Sequence, residues 1–91
     1  MSHTLPNDLQ RYLTTKSFNE STVPKKLLAD HSIKAHSWGQ VVVESGEVDL
    51  VFATHTHRVT PDSPGAIPPV RSHHLVLCGP VQFYVTFYRP K

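Results

Sequence analysis

A chain of 91 residues has material for one hydrophobic core, so residues 1–91 are read as a single domain. Hydrophobic residues make up 38 % and charged residues 18 %, and no run approaches the roughly 18 apolar residues of a bilayer span, which excludes a membrane-spanning chain. Nine Lys and Arg against seven Asp and Glu are scattered, with Lys25 and Lys26 the only adjacent cations. No basic stripe is present to neutralise phosphates, so neither nucleic acid nor a membrane is an expected partner.

Residues 1–15 are polar and read as an N-terminal arm, with residues 16–90 as the folded body. Within the arm "PNDLQRYLTT" reads equally as a short helical turn, capped by Asn7 or Asp8, or as extended chain. From Thr22 onward the texture is short runs of Val, Phe, Tyr and Thr broken by Gly and Pro, which predicts an all-β domain. "QVVVESGEVDLVFA" predicts a hairpin: a strand at 40–44, a turn at Ser45-Gly46 and a return strand at 47–53. Val48, Leu50 and Phe52 then share the core face. "HTHRVTPDSPGAIPP" predicts a loop enclosing one short strand, because Pro61, Pro64 and Gly65 do not fit a central ladder. "HHLVLC", a "GP" turn and "VQFYVTFYR" predict a second hairpin, with Val81, Phe83, Val85 and Phe87 inward. Gln82, Tyr84, Thr86 and Tyr88 face the other way. Tyrosines on an outer face mark a surface that another sheet or subunit covers, so a homodimer is expected.

Cys78 is the only cysteine, which rules out an internal disulfide and any cysteine-rich zinc site. It reads as a buried, inert thiol, and a reducing cytoplasm fits a chain whose start, "MSHTLPNDLQ", has no export pattern. Seven histidines are the compositional excess, and imidazole is the commonest metal ligand. His73 has the parity of Leu75 and Leu77, the apolar face, and Pro68 and Pro69 stiffen the chain before it. Two positions apart, His55 and His57 look like half a metal site, but their parity continues the Asp49 and Val51 face and they read as solvated. His3 is set aside, since removal of Met1 would abolish the amino-terminal copper or nickel geometry it offers.

The segment "STVPKKLLADHSIKAHSWGQVVVESGEVDLVF" followed by "PGAIPPVRSHHLVLCGPVQFYVTFYRP" resembles the TehB/YeaR-like domain, a bacterial family of small cupin-like proteins. The resemblance is carried by Val23, Pro24, Leu27 and Leu28; by His31, Lys34, Trp38 and Gly39; by Gly46; by Pro64, Gly65, Ile67, Pro69 and His73; and by the closing "GPVQFYVTFYR". It implies a small cupin-like jelly-roll β-barrel, often dimeric, associated with tellurite resistance. A methyltransferase domain accompanies this domain in some members; there is no glycine-rich loop for a methyl donor here, so neither methyl transfer nor a nucleotide cofactor is expected.

In the wider cupin superfamily an early "HxH…E" motif and a later histidine hold a metal. His73 matches the later histidine and "HSIKAHSWGQ" falls at the early motif, which makes His31, His36 and His73 the candidate metal ligands. No glutamate stands at the expected position near Gly39. Lys34 and Trp38 are candidates to flank a ligand at the barrel mouth. The expected function is binding of a divalent metal (zinc, nickel or iron) or of a small anionic ligand, an oxyanion such as tellurite, in stress response. Two alternatives are a metal-dependent cupin enzyme and a non-catalytic dimeric module.

Overall fold

The structure, a computed structural model, describes residues 5–91. Its strands are β1 (Leu9–Thr14), β2 (Phe18–Asn19), β3 (Trp38–Ser45), β4 (Val48–Phe52), β5 (Thr56–Val59), β6 (Gly65–Ile67), β7 (His73–Leu77) and β8 (Gln82–Pro90), with one 3-10 turn at Lys25–Leu28. The expected all-β class holds. Among the described residues no helix is long and apolar enough to cross a membrane.

Two sheets form. In the larger, β1, β8, β3 and β6 lie in that order with β2 also on β8; in the smaller the order is β5, β4, β7. No strand pair joins them among the described residues, so the sheets pack as an open sandwich where a closed barrel was expected. The cause is visible at both expected hairpins, whose strands were placed correctly and paired wrongly. β3 pairs with β6 and β8, whereas β4 pairs with β5 and β7. The chain at Gly46 is therefore a corner between sheets, and so is the chain at Gly79 and Pro80 between β7 and β8. Alternating apolar residues satisfy a hairpin and a corner equally well, because both bury the same face.

The two corners pack against each other. Gly46 sits at φ +77°, and a Cβ there would collide with the Pro80 carbonyl oxygen. Val41 and Val43 from β3, Val48, Leu50 and Phe52 from β4, Leu75 from β7 and Phe83 and Val85 from β8 make the core between the sheets. Phe83 is fully buried because β8 has neighbours on both edges.

The "PNDLQRYLTT" segment is extended chain: β1 pairs antiparallel with β8, and a bulge between Arg11 and Leu13 adjusts its register. "HTHRVTPDSPGAIPP" holds two short strands, β5 and β6. The reading of His57 needs correcting. The turn after Phe52 resets the parity, and His57 pairs with Leu50, so it stands on the core-facing side of β5 and is half-buried. Cys78 is exposed, not buried, at the end of an edge strand; its thiol is pushed up, by desolvation first and then by the Asp49 carboxylate. His3 lies outside the described residues.

Candidate functional site

The site grows from two segments that meet at one end of the sandwich. After the 3-10 turn the chain runs extended through His31 and Ile33; after Pro68 and Pro69 it enters β7 at His73. The two meet as an antiparallel bridge in which the His31 N–H donates to the His73 carbonyl at 3.0 Å and the His73 N–H donates to the His31 carbonyl at 2.9 Å. Residues directly opposite in such a pair place their side chains on one face, and the two imidazoles stand 4.3 Å apart between centroids, edge on at 60°.

Each ring is held the same way. The His31 Nδ1–H donates to the Ala29 carbonyl at 2.9 Å, and the His73 Nδ1–H donates to the Arg71 carbonyl at 2.8 Å. A carbonyl only accepts, so both Nδ1 atoms carry a proton, and in the uncharged form of each ring Nε2 holds the lone pair. His73 is 2 % exposed. Burial pushes it below the usual imidazole range; the Arg71 bond opposes this, while the nearby His31 and His74 add to it. At neutral pH its ring is an uncharged Lewis base. His74, on the other face of β7, is instead bonded to the Asp30 carboxylate at 2.8 Å.

His31 and His73 line a small, partly open pocket between the sheets, whose remaining lining is hydrocarbon from Leu27, Ile33, Leu75, Val85, Phe87 and neighbouring core side chains. Its free volume is ≈ 30 Å³, against the roughly 10–15 Å³ that one water needs. That is room for roughly two or three water-sized groups in all.

The other expected site residues lie elsewhere. His36 is exposed, in a turn at φ +70°, and does not line the cavity. Lys34 is exposed, its ammonium 5.8 Å from the centre of the Tyr12 ring. Tyr12 leads back to the cavity, since its ring lies 6.5 Å from Phe87. Trp38 pairs with Tyr88 on the face of the larger sheet turned away from the core. Among the described residues no group of three or more His, Cys, Asp or Glu side chains is arranged to hold a metal.

Sequence reasoning missed the backbone at this end. Among the described residues two that are not glycine have left-handed conformations, His36 at φ +70° and Val70 at φ +54°, and they flank the segments that carry His31 and His73. A branched residue there is strained, and such strain gathers at functional sites. No sequence signal marks Val70; a Gly or Asn would have done so.

This arrangement can be set beside known proteins. The TehB-like domain matches residues 3–85. The chain belongs to the TehB-like domain family. A search of the curated proteins finds none that matches. Among solved structures, one neighbour is a protein from E. coli (strain K12), a Northeast Structural Genomics Consortium target. The TM-score is 0.90 at 15 % identity, over 98 % of both chains. TehB from Haemophilus influenzae superposes with a TM-score of 0.85 at 21 % identity, over 92 % of this chain and 32 % of that one. This chain thus spans about a third of that protein's length. At these identities the likeness is one of fold.

Proposed function

We propose that this TehB-like domain binds one divalent cation, zinc, nickel or iron, through the Nε2 atoms of His31 and His73. Water or a small anionic ligand such as an oxyanion fills the remaining positions. The observation that carries this reading is the shared tether: both Nδ1–H groups are spent on backbone carbonyls, which assigns the lone pair of each ring's uncharged form to Nε2. That is the arrangement in which metal-binding histidines are held, their other ring nitrogen donating to a carbonyl or carboxylate. It suits a cation better than a bare anion, since an anion needs a donor and neither Nε2 is one until protonated. A bound cation would supply the positive charge that draws an oxyanion into an otherwise apolar space.

The cavity is too small for a substrate much larger than that, which favours binding over turnover as an enzyme. The family's association with tellurite resistance makes oxyanion stress in the cytoplasm the proposed setting. A second copy would pack on the outer face of the larger sheet, where Trp38, Val42, Tyr84 and Tyr88 are half-buried. Thr86 lies among them at 3 % exposure, its hydroxyl without a hydrogen-bond partner among the described residues.

The test is elemental analysis and calorimetric titration of untagged protein with zinc and nickel. One equivalent is expected in the native chain, lost in His31→Ala and His73→Ala and kept in His36→Ala. Metal well below one equivalent after supplementation, or unchanged in His73→Ala, overturns the reading.

A further inference from the structure

Val70 is an odd residue to find where it is. Its branched side chain is 66 % exposed, so packing does not repay its left-handed backbone at φ +54°. The reason lies in the register between the two segments of the site. His31 and His73 exchange both of their backbone bonds, and the next bond between the segments runs from the Val70 N–H to the Ile33 carbonyl at 3.0 Å. From His31 to Ile33 the chain advances two residues, but from His73 back to Val70 it takes three. One extra residue has been let into the 70–73 side. This is a β-bulge of the kind whose first residue sits in the left-handed region, a position normally given to glycine.

The consequence falls on Arg71. In a regular antiparallel ladder, pairs that exchange two bonds recur at every second residue. Ile33 would then face Arg71, and the Arg71 N–H would claim the Ile33 carbonyl. The bulge gives that carbonyl to the Val70 N–H instead and turns the peptide that follows, whose Arg71 carbonyl accepts the Nδ1–H of His73 at 2.8 Å. We infer that Val70 is a positioning residue: its left-handed bulge aims the Arg71 carbonyl at the His73 ring, as the acceptor that fixes the His73 tautomer and makes Nε2 the ligating atom. Arg71 is bound into the same corner, its guanidinium 5.6 Å from the centre of the Phe52 ring, and Phe52 lies 6.0 Å from His73. The purpose of the device rests on the two-histidine reading; its existence does not, and can be tested without metal.

The test is the ¹⁵N spectrum of the His73 imidazole in metal-free protein at a pH where the ring is neutral, followed by zinc titration. The native chain should show His73 as a single Nδ1–H tautomer. Val70→Gly, which keeps the left-handed conformation without strain, should show the same tautomer and a higher melting temperature. Deletion of Val70 restores the regular register, and Val70→Pro forbids a positive φ; both should move His73 toward the Nε2–H form and weaken zinc binding 10–100-fold, the usual effect of losing such a partner. Dispersed amide spectra establish that each variant is folded. A native His73 in the Nε2–H form overturns the inference, as does a folded deletion variant that keeps the Nδ1–H tautomer. So does a Val70→Gly protein that loses it. Expected tautomer changes in a chain that takes up no zinc would leave the positioning role standing and sink the metal reading alone.

Discussion

The imidazoles of His31 and His73, 42 residues apart in sequence, lie 4.3 Å apart because their backbones form a two-bond antiparallel bridge. The bridge does more than bring the rings together. It closes the segment that follows the 3-10 turn onto the free edge of β7, so one contact both shields a sheet edge and builds the cavity wall. Each ring then uses the carbonyl two residues upstream to fix its proton.

The burial of His73 makes stability depend on pH in a definite direction. Its folded-state pKa is depressed, with desolvation the leading cause, whereas in the unfolded chain it titrates near 6.5. The unfolded chain therefore binds the proton first as pH falls. The stability this residue contributes is fully present above about pH 6.5 and is lost as pH falls toward and through the folded pKa. Urea midpoints should decline between about pH 7.5 and 5.5, and the decline should be shallower in His73→Gln. Equal slopes in the two proteins would mean that His73 is not desolvated.

His36 gives a test that separates strain from ligation. It sits at φ +70° and is exposed. A left-handed conformation costs a residue with a Cβ about 1–2 kcal/mol, and glycine's greater unfolded-state entropy returns about 0.5–1 kcal/mol of that. His36→Gly should therefore raise the stability by about 0.5–1 kcal/mol in chemical denaturation, with zinc stoichiometry unchanged. A loss of metal in a folded His36→Gly protein would place His36 in the site.

Phe83 tests where the sandwich is held. It is fully buried on β8, packs 5.7 Å from the Phe18 ring, and belongs to the strand on which β1, β2 and β3 all pair. Phe83→Ala should cost about 3–5 kcal/mol, a large part of the 5–15 kcal/mol of a typical small domain. Thermal melting should show a drop of tens of degrees or no cooperative transition; a shift of a few degrees would mean that the core collapses around the gap.

The sequence revealed faces more readily than partners. Val48, Leu50 and Phe52, and Val81, Phe83 and Val85, are buried as their alternation requires, because period-two burial is written locally. Which strand lies beside which is not, since a corner at Gly46 and a hairpin at Gly46 bury the same residues. His57 was misplaced for a related reason: the parity count ran through a turn that resets it. Of the candidate site, His73 was legible from its parity with Leu75, and His31 only from the family resemblance. The bulge at Val70 was not legible, because the residue there is one that local preference argues against.

Gly46 is where the corner geometry can be challenged directly. The residue sits at φ +77°, and the space a Cβ would need is occupied by the Pro80 carbonyl and the Val81 backbone. Both obstacles are backbone, so no side chain can swing away to make room. Gly46→Ala must therefore bear left-handed strain of order 1–3 kcal/mol and also push the β3–β4 corner off the β7–β8 corner. That displacement would loosen the packing of Val48 and Val81 just inside. By contrast Gly79, also at positive φ, has nothing within reach of a Cβ, so Gly79→Ala bears the strain alone. Urea denaturation should rank Gly46→Ala clearly below Gly79→Ala, and Gly79→Ala below the native chain. Equal losses would show that the two corners do not touch, and that the sheets meet there in some other way.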